Sequence, residues 1–411
     1  MNLFQEKPLI RGGESYYHLL QSRERIYAFP LLLEGWLGEE IVLLLPLLGA
    51  LSAWLFLKLG LRFGLAPGFL TLFAALFFFS PPFLYAFSLL SFYGYYFLLL
   101  LLGFLLLSSP GKYRYLAVVP FLWASLYDVA QALAAAVLIG LYCYKNPPLR
   151  KFGWFLGLLA VASALAGVLL GQVQILAGPF QEQEVLGDLV SDIGLAPGLS
   201  LFLLLLAILG IILSWTKKLV LPNILLGIAL VMYVLRTESL FLMALILTSF
   251  AALAWQHLAQ RQWQLPTLKQ FTLLLLALGL LFSLLSRLER QAEPGPTAAD
   301  LEASNWIRVN FPTGIIFSPL EKAYFLQYAT GLPVQEYYHQ QGNLTPAILS
   351  QEYVKDLFPL LENNNITIIY VSAPMREKLP SDQGFLFLLK NERFKLVHSN
   401  EEAEVWVFHG N

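Results

Sequence analysis

Residues 41–287 read as a succession of almost unbroken apolar stretches, at about 41–60, 67–81, 91–109, 114–126, 129–144, 152–171, 197–215, 219–235, 239–257 and 268–287. Most approach the roughly twenty residues that a helix needs to cross a bilayer. The pattern predicts a polytopic α-helical membrane protein of about ten spans. Beyond it the pattern changes. Residues 288–304 form a polar, Pro/Gly-containing linker, and from Trp306 onward short β-rich runs alternate with helical ones. Gly314–Ser318, Ile366–Ser372, Phe394–His398 and Glu404–Phe408 read as strands, and Leu320–Tyr328, Ile348–Glu362 and Phe385–Lys390 as helices. The chain therefore divides into an outer N-terminal loop (1–40), a transmembrane domain (41–287), the linker (288–304) and a soluble α/β domain (305–411).

The polar positions between the spans sort by sign. One set of connections holds Lys58, Arg62, Lys112, Arg114, Lys145, Arg150, Lys151, Lys217, Lys218, Arg261 and Lys269, and no acid. The alternate set holds Asp128, Glu182, Glu184, Asp188, Asp192 and Glu238, with Arg236 as its one base. By the positive-inside rule the basic set is cytoplasmic. Every acidic connection is then on the outer face, where any carboxylate chemistry must occur. Ten crossings after an outer N-terminal tail place the C-terminal module outside as well. From residue 291 on, that module carries 14 acids and 8 bases.

Charge also constrains the spans. Lys112/Arg114 and Lys145/Arg150 belong on one side, yet only about thirty residues separate them, short for two full crossings of roughly twenty each. The chain must make two short helices or a re-entrant pair there, with Asp128 at the turn. An ionisable residue at membrane depth is costly and faces a polar cavity or a partner; the alternative is a helix cap at a short outer turn. Residues 172–198 are too polar to span and too apolar for a plain loop. They read as a helix lying on the outer surface, with Asp192 turned either to a ligand or to water. Arg236 breaks the topology rule locally. It can clamp a lipid phosphate, or pair with Glu238 or with headgroups.

Composition agrees: 57% of the residues are hydrophobic and 13% charged, about half the charge of a soluble domain. A net charge of −1 offers nucleic acid no basic face. The single cysteine, Cys143, precludes an intrachain disulfide or a cysteine-based metal site and reads as apolar filler. The C-terminal module carries no nucleotide loop, metal cluster or nucleophile elbow. Its two glycosylation triplets, at Asn343 and Asn365, are of a kind common by chance, and His339 reads as a surface residue.

The N-terminal segment contains Arg11-Gly-Gly-Glu-Ser-Tyr-Tyr-His-Leu19 and then Phe29–Trp36. It is outside by parity with no span before it, while Lys7, Arg11, Arg23 and Arg25 oppose its unaided translocation. The expectation is a first transmembrane helix upstream of this sequence.

This acidic, aromatic first loop, the many spans and the outer α/β module together resemble the GT-C membrane glycosyltransferases. The likeness is to prokaryotic relatives of oligosaccharyltransferases and dolichyl-phosphate-sugar transferases. Further similar fragments are Ser80–Ser88, Ser191–Gly194 and Ala303–Pro312. The resemblance implies transfer of a sugar from a polyprenyl-phosphate carrier to an acceptor on the non-cytoplasmic face of the cell membrane. It assigns Glu14 as base toward the acceptor or as a ligand for a divalent metal, Mg or Mn; Asp128, the acid expected at membrane depth, is the second candidate catalytic carboxylate. Arg11 and Arg236 supply positive charge to the departing lipid phosphate, and Tyr16, Tyr17, His18, Asp192 and Glu238 complete the substrate-binding set. The chain departs from the family in having a single acid in the first loop, none between Ser80 and Phe92, and no WWD-type motif in the module. These departures favour simple lipid-monophosphate sugar transfer over oligosaccharyl transfer to Asn, and a monophosphate demands less metal. Polyprenyl-phosphate sugar and membrane lipid are the partners implied; the sequence leaves the acceptor open. Two other classes stay open: a catalytically inactive GT-C-like protein that binds lipid or a partner, and a transporter of a lipid-linked substrate, although no internal repeat is visible. On either, Glu14 is an ordinary exposed acid and Tyr16, Tyr17 and Trp36 are interfacial anchors.

Overall fold

A computed structural model describes residues 15–16, 19–20, 43–88, 92–126, 129–170, 190, 198–216, 220–235, 240–292, 295–318, 320–335, 344–379, 383–400 and 402–409. The apolar stretches fold as helices α1 (Leu44–Arg62), α2 (Pro67–Phe78), α3 (Pro81–Ser88), α4 (Phe92–Leu107), α5 (Val118–Ser125), α6 (Val129–Lys145), α7 (Arg150–Leu169), α8 (Leu201–Thr216), α9 (Val220–Leu235), α10 (Leu240–Gln260) and α11 (Pro266–Ala292).

Ten crossings are not what the described helices provide by length. Four are long and apolar enough to span, Leu44–Arg62, Pro147–Leu169, Leu240–Gln260 and Pro266–Ser286, or five if a bent pair counts as one. That pair is α2 and α3, which meet at 61°. Pro81 and Pro82 lack the N–H groups that would continue the α2 ladder, and they suit the first turn of a new helix. The Ser80 hydroxyl caps the break by donating to Phe77 O at 2.6 Å. The expected outer loop Ser80–Phe92 is thus largely a packed helix, with Pro81, Pro82, Phe83, Ala86 and Phe87 buried. The expected span at 114–126 is a 3₁₀ turn (Gly111–Ala117) followed by α5. Eight α-helical residues rise only about 12 Å, less than half the hydrocarbon thickness. α5, with eight residues, and α6, with 17, are both shorter than a full span of roughly twenty.

The basic ends of the helices lie together. Arg62 donates through Nη1 to Leu105 O at 3.1 Å and to the Ser108 and Ser109 hydroxyls, each at 3.2 Å. These groups close the C-terminal end of α4, where carbonyls lack helical partners. Phe63 lies tilted on Tyr142 (5.3 Å), while Phe104 meets Tyr142 (5.9 Å) and Tyr115 meets Phe152 (5.2 Å) edge-on. Cys143 is buried between α6 and α7, against Gly153.

The C-terminal module is an α/β sandwich. Its four-stranded sheet has the order β1-β2-β4-β3, from strands β1 (Ile315–Phe317), β2 (Ile366–Ser372), β3 (Phe394–Ser399) and β4 (Ala403–Phe408). β1 and β2 are parallel; β2/β4 and β3/β4 are antiparallel. Side chains alternate across a strand, so β2 feeds two cores. Ile368 and Tyr370 join Ala303, Ile307 and Val405 on one face. Ile369 and Val371 join Leu357, Leu361, Phe385 and Phe408 on the other. The strands follow the sequence reading closely. The expected helix Ile348–Glu362 is instead two, α14 (Leu344–Leu349) and α15 (Val354–Asn363). Ser350 and Gln351 side chains both donate to Ala347 O, competing with the ladder at the break.

The stretch 288–304, expected as a linker, is mostly helical. α11 continues to Ala292, and α12 (Ala298–Asn310) begins within it. Thr297 and Asp300 form a capping box: Asp300 N donates to Thr297 Oγ1 at 3.2 Å and Thr297 N to Asp300 Oδ2 at 2.7 Å.

Candidate functional site

Because Arg62 holds the C-terminal end of α4, the first turns of α4 point to the opposite end, about 15 Å away along the axis from Leu105 to Tyr95. The sequence there is Phe92-Tyr-Gly-Tyr-Tyr-Phe97. Tyr93, Tyr95 and Phe97 belong to one buried cluster with Tyr16, Leu19, Phe83, Phe87 and Phe241. Phe97 meets Phe241 at 5.1 Å and Phe77 at 5.6 Å. A Cβ on Gly94 would stand 2.6 Å from Ala86 O, so only glycine lets α3 and α4 approach this closely. Tyr96, fully buried, donates its hydroxyl to Gln131 O in the first turn of α6 at 3.0 Å. Beside it, the Ser125 and Ser163 hydroxyls pair at 2.8 Å.

Of the residues singled out from sequence, Tyr16 is described. It is 2% exposed and packs edge-on to Phe325 (5.3 Å) and tilted on Tyr328 (5.5 Å). Both partners belong to α13 (Leu320–Thr330) of the C-terminal module. Tyr16 thus joins the N-terminal segment to that module. Arg11, Glu14, Tyr17, His18, Asp128, Asp192, Arg236 and Glu238 lie outside the described residues. Of the described residues next to these positions in sequence, Gln131 accepts from Tyr96 and Phe241 packs on Phe97, both of α4. Among the described residues no three His, Cys, Asp or Glu side chains converge in a way that could hold a metal.

Sequence reading passed over a second polar centre. Asp300, 2% exposed, accepts from the Tyr370 hydroxyl through Oδ1, and through Oδ2 from Lys322 Nζ at 2.5 Å and Thr297 N. Lys322 Nζ also donates to Gly295 O at 3.0 Å. Burial, chiefly, with the adjoining Asp300 carboxylate, pushes the Tyr370 phenol far above the usual tyrosine range. The network ties α12, α13 and β2 together. Its one local signal was the T-x-x-D capping pattern at 297–300.

Apolar helices, several of spanning length, and a small α/β module define the class: a helical membrane protein with a C-terminal α/β module. Within that class the fold is similar to a particular solved structure, the oligosaccharyltransferase of Archaeoglobus fulgidus in its apo form. The TM-score is 0.56 and the identity 13%, covering 89% of this chain and 66% of that one. The chain therefore spans just under two thirds of that protein's length. The same enzyme tethered to an acceptor peptide containing the NVT sequon superimposes with a TM-score of 0.48 at 14% identity, covering 89% of this chain and 66% of that one. Its complex with an inhibitory peptide and a dolichol-phosphate gives 0.49 at 13% identity, covering 90% and 66%. No protein-family model and no curated protein sequence matches the chain.

Proposed function

We propose that this protein is a GT-C-type membrane glycosyltransferase that moves a sugar from a polyprenyl-phosphate donor to an acceptor at the non-cytoplasmic face. The observation that carries the reading is the fold likeness to an oligosaccharyltransferase over 89% of the chain. The buried aromatic cluster at the first turns of α4, at the end of the bundle opposite Arg62, is consistent with it. With the basic ends cytoplasmic, that end and the attached module face outward.

In this reading an acceptor hydroxyl attacks the anomeric carbon of the donor sugar, and the bond to the lipid phosphate oxygen breaks. Glu14 takes the acceptor proton, and Arg11 and Arg236 balance the charge gathering on the departing phosphate. Asp128 orients the acceptor or serves as the alternative base, and Tyr17, His18, Asp192 and Glu238 contribute to the sugar site. Tyr16 positions this loop from its socket on α13. The motif's single acid favours one-sugar monophosphate donors. A divalent metal, where used, would be held by Glu14 together with a second outer-face acid and would neutralise phosphate charge.

The test is release of lipid phosphate from labelled polyprenyl-phosphate sugars by the purified chain, with an acceptor extract and with or without divalent metal. Release lost in Glu14→Gln is the expected result. Release unchanged in Glu14→Gln moves the base to Asp128. No release from folded protein refutes the transferase in favour of a binding role.

A further inference from the structure

One end of the bundle concentrates cations, none of which forms an ion pair among the described residues. α1, the Gly111–Ala117 turn and the α6–α7 connection bring Arg62, Lys112, Arg114, Lys145, Arg150 and Lys151 to the same end through the Arg62–Ser108, Phe63–Tyr142 and Tyr115–Phe152 contacts. The sequence has no acid from residue 41 to 127 or from 129 to 181. Two of the guanidinium groups are held in place. Arg150 donates through Nη2 to Tyr144 O at 3.2 Å and lies 5.1 Å over that ring, and Arg114 donates through Nε to Gly111 O at 2.9 Å.

The border of this cationic patch is aromatic and apolar. Tyr113 is 68% exposed, Tyr144 72% and Trp154 67%, with Leu116 and Val119 also exposed beside them. Tyrosine and tryptophan in such positions sit at the headgroup layer of a bilayer. Cations above an exposed apolar wall match a phosphate headgroup that carries acyl chains, whereas a free phosphate would leave the wall without a role. The Tyr115–Phe152 contact sets the Lys112/Arg114 pair beside the Arg150/Lys151 pair.

We propose that this end of the bundle is a binding site for an anionic phospholipid, with Lys112, Arg114, Arg150 and Lys151 facing its phosphate. The site stands at the opposite end from the sugar-transfer reading and does not depend on it.

The experiment titrates the purified full chain in detergent with short-chain phosphatidylglycerol or phosphatidylcholine and counts bound lipid by native mass spectrometry. Phosphatidylglycerol should bind at least about tenfold more tightly, because each nearby cation contributes roughly fivefold toward an anionic surface. Lys112→Gln with Arg114→Gln should weaken it about 30-fold on the same basis. Lys355→Gln with Lys390→Gln, an equal charge change on the C-terminal module, should leave it unchanged. Arg150→Gln with Lys151→Gln is the second test pair should the first fail to fold. Equal binding of the two lipids, or equal loss in the control pair, would overturn the site. Displacement of the lipid by millimolar inorganic phosphate would overturn the lipid assignment in favour of a free-phosphate site.

Discussion

Replacing Asp300 by Asn should loosen the C-terminal module more than any surface change. The carboxylate is buried and receives Lys322 Nζ, the Tyr370 hydroxyl and Thr297 N. Asparagine keeps the size and can still accept at the cap, but it leaves the Lys322 ammonium, 13% exposed, without its counter-charge. Removing one partner of a buried pair costs about 3–5 kcal/mol, and the residual exposure of Lys322 argues for the lower figure. A cost of about 3 kcal/mol corresponds to roughly a 150-fold rise in local opening. Hydrogen exchange of the full chain, read by mass spectrometry on peptides covering Ile366–Ser372, should accelerate by about that factor, while peptides of α10 stay unchanged. Adding Lys322→Met to Asp300→Asn should recover part of the loss, since it removes the stranded charge, and a double-mutant cycle should give at least about 1 kcal/mol of coupling. Acceleration below about fivefold, equivalent to roughly 1 kcal/mol, would refute the view that this network anchors α12 to the sheet.

Tyr370 makes the same module sensitive to alkali. Its folded phenol is held neutral far above the ordinary range, so its contribution is fully present below about pH 10 and declines above it as the unfolded tyrosine ionises, by about 1.4 kcal/mol per pH unit. Pulse proteolysis in urea should show wild type losing about 1.4 kcal/mol in all between pH 9 and 11 from this group, and Tyr370→Phe losing correspondingly less. At the α8–α10 crossing, a Cβ on Gly210 would stand 2.0 Å from Phe250 O, a backbone atom that cannot rotate away. Gly210→Ala should therefore cost about 1–3 kcal/mol or more and lower the thermal midpoint of the detergent-solubilised chain. Gly140→Ala, which meets nothing within 4 Å, should not.

The parts legible in the sequence are those under a strong, one-dimensional constraint. Charge patterning along the sequence separates Arg62, Lys112 and Arg150 from Asp128, and Arg62 and Arg150 are found at one end of the bundle through contacts that sequence spacing cannot specify. The strands of the module announced themselves by runs such as Ile366-Thr-Ile-Ile-Tyr-Val, whose two buried faces leave little polar alternation. Hydropathy failed where local chemistry outweighs it. Pro81-Pro82 turned an apolar run into two helices, and polar composition at 297–304 concealed a helix that its own capping box specifies. The Asp300 network was beyond reach for another reason: its members lie 22 and 70 positions apart, and only the tertiary fold joins them. The same holds for Tyr96 and Gln131. Of the candidate site, Tyr16 alone could be placed, and it revealed a docking role that the aromatic motif did not announce.

The 27 residues of α11 rise about 40 Å, and the hydrocarbon layer accounts for roughly 30 Å of that. The surplus of about 10 Å works as a standoff. As a span, α11 would carry the chain about that far beyond the acyl chains before α12 of the α/β module begins.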